Sequence, residues 1–534
     1  MKKERMTAQR VAEAREALDK YRAGKAALDR RIIENQEWYK LRHGEPGKAE
    51  PGVASAWLLN AIANKHADAM DNIPAPVVLP REPGDRQDAE LLSKVLPAVL
   101  EMNDFEEAYS RMWWRKLKTG TGAYGVFWDS GKLRGLGDIE LCAVDILNLY
   151  WEPGVRDLQR SRYLFWVELA DQEQLARQYP GLKLKGGGDA GLVKQYVHEE
   201  RIEQGGKRAV VDWYYREEGA LHLCRFVGDQ VLYASEDDPM LSNTGLYDHG
   251  LYPFVLDPLF PEEDGPTGFG YLDVCKDPQT RIDRLNQVIL KNAMMAARPR
   301  YFIKGDGSVN EAEFADWQND FVHYLTGGSP KDSIMPIETT PLPAGVLTVL
   351  RDTVEELKET SGNRDFNQGG TAAGVTAASA IAALQEAGSK LSRDMIKASY
   401  RSFVKVCELC LELIRQFYRE PRCFRVAGRL GDTEYIRYDS GGMQLQAQGD
   451  DFGVPLGVRL PVYDIRVKAQ KASPFAVAAQ NDLAREFYAA GFFDPGMGEQ
   501  ALACLDMMTF EGKEEVRAGI ARRLAARQEA EASP

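Results

Sequence analysis

Two groups of carboxylates are the first residues in this 534-residue chain whose types and spacing could do chemistry. They are the consecutive Glu262, Glu263 and Asp264, and the helically spaced Asp352, Glu355, Glu356 and Glu359. Paired carboxylates catalyse hydrolysis when a pocket raises the pKa of one of them or when they hold a metal ion. The first group precedes a predicted helix, where acids complement the helix dipole, and the second covers a helix surface. The sequence therefore predicts structural roles for both groups and no enzymatic activity.

Thiols and imidazoles, the other common catalytic and metal-binding groups, show no spacing typical of a site. Cys407 and Cys410 form the one C-x-x-C pattern in the sequence. No second cysteine pair and no nearby histidine completes the four ligands that zinc requires. The seven cysteines are scattered and odd in number, which favours reduced thiols over a disulfide framework. We expect no metal and no cofactor.

Glycine clusters that could cradle a phosphate occur at residues 186–188, 268–270 and 369–370. None carries the Lys-Ser or Lys-Thr pair of the motif G-x-x-x-x-G-K-[ST], which holds phosphate and magnesium. The sequence thus argues against an ATP-driven motor.

Five cations recur at intervals of three and four residues, which places them on one face of a helix. We name them the basic stripe: Lys390, Arg393, Lys397, Arg401 and Lys405. The stripe is either a solvated face paired with its own acids, such as Glu386 and Asp394, or it faces a polyanion or an acidic neighbouring subunit. The net charge of −13 argues against a general nucleic-acid binder, but not against a protein that encloses DNA without gripping it. The residues alone leave both alternatives open.

The basic stripe lies on a long predicted helix, Thr376–Glu420, which contains no proline. At 1.5 Å per residue this helix would be a rod of roughly 65 Å. A polar, glycine-rich loop with the sequence SGNRDFNQGGTAAGV precedes it. We expect the rest of the chain to be organised around this loop and helix.

The remaining patterns predict an α+β protein. Residues 5–120 favour a helical layer, and from Gly122 short aromatic and β-branched runs predict an antiparallel sheet packed on those helices. A helix at Leu272–Ala297, with its regular part starting at Pro278, precedes a compact α/β segment and a helix at Val346–Thr360. Strands and then helices follow the long helix. No run of about 18 apolar residues is present, so no membrane span is predicted.

This order of elements, together with four stretches of sequence, resembles the portal proteins of tailed bacteriophages. Portal proteins form the ring at one capsid vertex through which DNA is packaged and ejected. The four stretches are ADAMDNIPAPVVLPREPGD (Ala67–Asp85), WWRKLKTGTGAYGVFWD (Trp113–Asp129), RIDRLNQVILKNAMMAARPRY (Arg281–Tyr301) and GGTAAGVTAASAIAALQEAGSKLSRD (Gly369–Asp394). Each stretch is modest alone, and their order makes the resemblance specific. It covers nearly the whole chain and is weakest after about residue 475.

The resemblance implies a portal-protein fold. It would divide the chain into a wing of helices and antiparallel sheet (1–265), a first stem helix (266–297), a small α/β clip (298–345), a second stem helix (346–361), a tunnel loop (362–375), a second part of the wing that holds the long helix and strands (376–471) and a helical crown (472–534).

The resemblance also implies which residues would make contacts. Tunnel-loop residues facing DNA would be Arg364, Asn367, Gln368, Gly369, Gly370 and Thr371. Clip residues docking the packaging motor would be Lys304, Trp317 and Lys331. The basic stripe would face either DNA or the neighbouring subunit. Because Arg364 is the only cation in the tunnel loop, the loop would touch phosphates without holding them.

The implied partners are further copies of the chain, in a ring of about twelve subunits, and double-stranded DNA in its channel. The terminase large subunit, the major capsid protein, the scaffolding protein and a head-tail adaptor would also bind, and no membrane would. Such a ring would assemble in the cytoplasm of the bacterial host and occupy a capsid vertex of the virion. Two alternatives are a head or connector protein without a DNA channel, usually a much shorter chain, and a DNA-processing nuclease of the packaging apparatus, which would need an acidic metal cluster.

Overall fold

A computed structural model gives the structure of the chain. It describes residues 6–42, 54–180, 189–196, 206–297, 300–305, 309–316, 318, 320–324, 333–337, 342–362, 390–427, 433–447, 450–451, 454–455, 457–471, 483–508 and 513–532. The chain divides into a larger unit of residues 1–70 and 74–468 and a smaller unit of residues 71–73 and 469–534.

Four helices begin the larger unit. They are α1 (Ala8–Tyr39), α2 (Trp57–Met70), α3 (Arg86–Met102) and α4 (Phe105–Thr119). The side chain of Thr7 caps α1 by accepting a hydrogen bond from the backbone N–H of Arg10. Gly120 caps the C-terminus of α4 with a φ of +87°, and an added Cβ there would lie 2.4 Å from the carbonyl oxygen of Gly268. This close approach of two backbones therefore requires glycine.

Two antiparallel sheets follow the helices. The first has the strand order β3-β2-β9, with β2 at Thr121–Asp129, β3 at Asp138–Val144 and β9 at Phe254–Pro258. The second has the order β4-β5-β6-β7-β8, with strands at Leu149–Trp151, Tyr163–Asp171, Lys207–Glu217, Ala220–Val227 and Gln230–Ala234. A short helix, α5 (Gln172–Gln178), follows β5. The prediction of one sheet is wrong, because a turn capped by Asp145 separates β3 from β4.

An aromatic core joins the second sheet to α1. Phe165 on β5 is the register partner of Trp213 on β6, and both belong to one buried cluster with Tyr215. Val11 and Leu18 of α1, seven residues apart, pack into the same cluster. Because seven residues are close to two helical turns, α1 presents one apolar side to this sheet.

The next helices form a pair. α6 (Tyr271–Ala297) packs against α8 (Ala344–Ser361), and the chain between them contains α7 (Glu311–Ala315) and the antiparallel strands β12 (Arg300–Ile303) and β13 (Ile334–Ile337). The prediction that the regular part of α6 starts at Pro278 is wrong, because α6 begins seven residues earlier. Proline lacks the N–H for one helical hydrogen bond, but Leu272, Cys275 and Ile282 are buried around it and stabilise the first turns.

The long helix is α9 (Lys390–Phe417), and residues 376–389 of the predicted helix lie outside the described residues. It ends three residues before the predicted Glu420, because Pro421 disfavours helical backbone in the residue before it. β14 (Arg422–Ala427) and β15 (Thr433–Tyr438) then form an antiparallel pair. Further two-stranded pairs are β1 (Asn72–Pro80) with β20 (Tyr463–Lys471), β10 (Phe260–Pro261) with β11 (Gly268–Phe269), β16 (Gln446–Ala447) with β19 (Val458–Arg459), and β17 (Asp450–Asp451) with β18 (Val454–Pro455).

The smaller unit is helical in most of its described part. Residues 483–489 are helical and precede α10 (Gly498–Met507) and α11 (Lys513–Ala532). Its core is a cluster of Phe487, Ala501, Leu505 and Ile520. Helices and sheets in the two units confirm the predicted α+β class. The finer division into wing, stem, clip and crown stays a prediction.

Candidate functional site

α9 presents an exposed basic face. Arg393, Lys397, Arg401 and Lys405 follow one another at intervals of four residues, and all four side chains are exposed. The fifth member of the basic stripe, Lys390, is the first residue of α9, and its side chain lies outside the described part of the chain. The structure thus brings four members of the basic stripe to one surface, and which molecule they contact stays a prediction.

A groove of about 840 Å³ runs beside the basic stripe, between α9 and the segment that begins with β9. Arg401 and Lys405 of α9 line it together with Asp394 and Glu408 of the same helix, and Arg156, Asp157 and Asp257 line it from other elements. Partial burial raises the pKa of Glu408, and the charge of Lys405 opposes this rise. Because cations and carboxylates are mixed along the groove, it lacks the uniform positive field that holds nucleic acid tightly.

Beneath the middle of α9, a buried ion pair joins α4 to β9. Lys116 Nζ lies 2.9 Å from Asp257 Oδ2, and the two side chains are 0% and 1% exposed. The hydroxyls of Ser399 and Ser402 on α9 donate to the two carboxylate oxygens of Asp257, at 2.5 and 3.1 Å. Desolvation lowers the pKa of Lys116, and Asp257 opposes this effect. The middle of α9 therefore contacts a charge buried among α4, β9 and α9.

A second buried lysine lies near the start of α9. Lys65 Nζ on α2 donates to Ser392 Oγ at 2.8 Å and to the carbonyl oxygen of Gly362 at 3.4 Å. The Ser392 hydroxyl donates in turn to Asp68 Oδ2 at 2.7 Å. Gly362 ends α8 with a φ of +64°. One lysine side chain therefore contacts both the end of α8 and the first described turns of α9.

Sequence reasoning missed both lysines, because a lysine in an amphipathic helix is usually a surface residue. The one available signal was position: Lys65 follows Ile62 and precedes Ala69 at helical spacing, on the side of α2 that is buried. Lys116 stands likewise between Met112 and Thr119 on the buried side of α4.

The six predicted tunnel-loop contacts lie outside the described residues. They are Arg364, Asn367, Gln368, Gly369, Gly370 and Thr371. Of the predicted clip residues, Trp317 and Lys331 also lie outside, whereas Lys304 is exposed just after β12. The Lys304 backbone N–H donates to the carbonyl oxygen of Ser333 at 2.9 Å, which continues the β12–β13 pairing by one residue.

The segment between α6 and α8 exposes large apolar side chains. Phe302, Phe321 and Met335 are 61%, 79% and 64% exposed. Phe302 and Met335 are register partners on β12 and β13, and neighbouring exposed apolar side chains are typical of a surface that contacts another protein.

α6 also exposes apolar side chains. They lie on both sides of the row of residues that packs against the rest of the larger unit, which we name the inner line. Ile282, Leu285 and Ile289 follow this inner line and are buried or half-buried. By helical geometry the exposed residues fall on two flanks. Val288 and Met295 lie on one flank, and Leu290 and Met294 lie on the other, and all four are exposed.

α8 repeats this arrangement. Its inner line contains the buried Thr353 and Leu357, and the exposed Leu347 and Val349 fall on opposite flanks. Arg281 Nη2 on α6 lies 2.7 Å from Glu356 Oε1 on α8, which is an ion pair across the two helices. The α6–α8 pair therefore has a closed inner seam and two apolar flanks.

The carboxylates singled out in the sequence form ion pairs between elements of the fold. Glu262 pairs with Arg31 of α1 at 2.6 Å, and Glu356 pairs with Arg281 of α6, so each group of carboxylates contributes an ion pair between two elements.

Burial raises the pKa of Cys410 to about 12 and that of Cys407 well above its usual value. Within the described ranges, no three His, Cys, Asp or Glu side chains group as metal ligands would. No helix in the described part of the chain is long and apolar enough to cross a membrane.

Residues 60–251 and 258–534 match the family model described as Phage P22-like portal protein. No protein of curated function matches the chain. The matched residues are most of the chain and contain α6, α8, α9 and all the described residues of the basic stripe. Proteins of this family are structural components of phage capsids that assemble as rings. The chain therefore belongs to the P22-like family of phage portal proteins.

Proposed function

We propose that the chain forms a ring at one capsid vertex, through which double-stranded DNA passes when a separate terminase ATPase packages it and when it is later ejected. The ring would also be the docking site for the motor and the head-tail adaptor. Beyond family membership, the observation that best supports this function is the α6–α8 pair with its two apolar flanks.

Whether the α6–α8 pair has one exposed apolar flank or two decides which kind of assembly it favours. A twofold dimer uses one self-complementary surface, whereas a closed ring uses two different surfaces on opposite sides of each subunit. Val288 and Met295 face one way and Leu290 and Met294 the other, so each helix pair can contact a neighbour on both sides. Fully burying one such side chain contributes about 1.5–3 kcal/mol. Several of them per subunit, repeated around a ring, would give a stable assembly.

Charge supports a channel that DNA traverses without being held. Each subunit carries a net charge of −13, so the ring as a whole repels DNA. Local cations are then needed where DNA passes or where acidic surfaces of two subunits meet. The exposed basic stripe on α9 and Arg364 in the predicted tunnel loop would supply them. The exposed acids of α8, including Asp352 and Glu355, would be one opposing surface.

Docking of the motor is proposed for the segment between the two stem helices. Its exposed Phe302, Phe321 and Met335 offer apolar contact area, and the exposed Lys304 offers a charge directly after β12. The resemblance also implies Trp317 and Lys331 as docking residues, and both lie outside the described residues. Replacing Lys304 with glutamate should weaken binding of the terminase large subunit in a pull-down and leave ring formation intact.

Electron microscopy of the purified chain, with native mass spectrometry of the same sample, tests the ring. We expect rings with a central channel and about twelve subunits. A Leu290→Asp and Met294→Asp double variant should yield folded single subunits, because a charge on one flank prevents contact with the neighbour. Met240→Asp is the matched control, because Met240 is 85% exposed and lies in a turn that belongs to neither α6 nor α8.

A wild-type chain that stays a single subunit even after scaffolding protein is added would contradict the proposed ring. A Leu290→Asp and Met294→Asp variant that still forms the same rings would contradict the role of the helix flanks and place the subunit contacts elsewhere. DNA passage is tested separately, as nuclease-protected DNA in capsids that carry the ring.

A further inference from the structure

We propose that Ser392, Ser399 and Ser402 fix the axial position and the rotation of α9 through contacts with two lysine–carboxylate pairs, Lys65–Asp68 and Lys116–Asp257. We name the three serines the serine track. This inference concerns how the subunit is built, and it holds whether or not the chain forms a DNA channel.

The serine track lies on the side of α9 opposite the basic stripe. Ser392, Ser399 and Ser402 are 4%, 2% and 8% exposed. Their spacing of seven and three residues places them along one line of the helix. Lys397 and Arg401 lie on the far side of α9 and are exposed. One helix therefore carries a buried hydroxyl line and an exposed cationic line.

Each serine forms a hydrogen bond with a member of a lysine–carboxylate pair, and leaving a buried charge of such a pair without a partner costs free energy. Ser399 and Ser402 donate to Asp257, whose other partner is the fully buried Lys116. Ser392 accepts from the buried Lys65 and donates to Asp68. A buried charge that loses a hydrogen bond has no water to replace it, so these contacts strongly favour the native arrangement.

Apolar packing alone would not define the position of α9 so narrowly. Its buried apolar residues, such as Met395, Phe403 and Val406, recur at helical spacing, so a helix shifted by one turn still buries apolar side chains. The hydroxyl contacts are directional, and they form only when the serines stand opposite Lys65 and Asp257. The serine track therefore selects one register from several that bury similar apolar area.

Two parts of the molecule depend on this register. The first is the basic stripe, because the rotation of α9 decides where Lys397, Arg401 and Lys405 point. The second is the junction between α8 and α9, because Lys65 contacts both the Gly362 carbonyl oxygen and the Ser392 hydroxyl. The serine track would thus set the position of the first described turns of α9 relative to Gly362 at the end of α8.

The native cysteines provide a test that separates movement of α9 from general unfolding. Cys407 and Cys410 lie on α9, whereas Cys224 lies on β7 and Cys275 on α6, and all four are 0% exposed. Burial raises the pKa of each thiol, so each reacts with iodoacetamide only when its surroundings open. Cys423 is exposed and reports that the reagent is active.

The experiment uses mass spectrometry to compare the rates at which iodoacetamide labels the cysteines of the unsubstituted chain and of a Ser399→Ala and Ser402→Ala double variant. We expect labelling of Cys407 and Cys410 to accelerate at least tenfold relative to Cys224 and Cys275. Ser392→Ala should accelerate amide exchange in residues 391–398 in the same way, with β7 unchanged. Ser130→Ala, at an exposed turn, is the matched control.

Either of two outcomes overturns the proposal. If the labelling rate of Cys407 and Cys410 relative to Cys224 and Cys275 is the same in the double variant as in the unsubstituted chain, the serines do not position α9. Equal acceleration at all four buried thiols would mean that they contribute only to global stability. If the double variant is not recovered in soluble form, Ser399→Ala alone is judged by the same ratio. Because the comparison is made within one chain, it does not depend on ring formation.

Discussion

α9 and the α6–α8 pair are both long helical regions of the larger unit, but they are stabilised in different ways. The buried side of α9 is complete within one subunit, because its serines and apolar residues meet α2, α4 and β9. The α6–α8 pair is closed only along its seam and leaves apolar flanks exposed. In the proposed ring, α9 would be positioned during folding of the subunit, whereas the helix pair would reach its full stability only in the assembly.

The largest effect is expected from disrupting the buried Lys116–Asp257 ion pair that α9 contacts. Asp257→Leu leaves Lys116 as an unpaired buried charge, and we expect a loss of about 3–5 kcal/mol in the free energy of unfolding. The double variant Lys116→Met and Asp257→Leu removes both charges and should cost clearly less than the sum of the two single variants. Urea unfolding followed by tryptophan fluorescence measures all three. Additive losses would mean that the two side chains do not act as a pair.

The next effect concerns pH and a buried lysine in another part of the larger unit. Desolvation lowers the pKa of Lys25 to about 8, although Asp29 opposes the shift. Between pH 8 and the unfolded-state pKa of about 10.5, the unfolded chain holds a proton that the folded chain lacks. The free energy of unfolding should therefore rise with pH in this window. From pH 7.5 to 9.5 we expect a gain of about 2 kcal/mol relative to Lys25→Met. Parallel pH profiles of the two chains would rule out this assignment.

A smaller effect separates assembly from folding in the helix pair. Leu290→Ala with Met294→Ala removes apolar area from one flank, which should weaken each subunit contact by about 1–3 kcal/mol. The free energy of unfolding of single subunits should change by less than about 0.5 kcal/mol, because both side chains are exposed there. Dissociation measured by native mass spectrometry at decreasing concentration gives the first quantity. A large loss of subunit stability with unchanged rings would reverse the comparison.

The smallest effect on stability is expected at the basic stripe. Lys397→Gln with Lys405→Gln should change the free energy of unfolding by less than about 0.5 kcal/mol. If the stripe faces DNA, the salt dependence of DNA retention should fall by about 0.9 in log–log slope for each cation removed. If it faces a neighbouring subunit, ring stability should become less sensitive to salt instead. No change in either quantity would leave the stripe as a solvated face.

Where the structure describes the whole predicted range, helix positions were predictable from sequence to within a few residues, because apolar periodicity decides them. α6 and α8 lie close to their predicted ranges, and the α+β class followed from the change of period near Gly122. The division into two sheets was not predictable, because it depends on one turn capped by Asp145. The contacts of Lys65 and Lys116 could not be predicted from the sequence either. Each joins residues far apart in the chain, and a lysine gives no local sign of burial.

The pairing of β1 with β20 has a consequence for the order of synthesis. β1 lies near the start of the chain and β20 near residue 470, and Arg81–Asp464 and Arg459–Asp85 ion pairs at 2.7 Å lie beside them. A ribosome adding about 5–20 residues per second needs on the order of tens of seconds to make the chain between these strands. Throughout that time β1 has no strand partner. We therefore expect the larger unit to close only after β20 has been synthesised, so that chains truncated before β20 leave β1 without its strand partner.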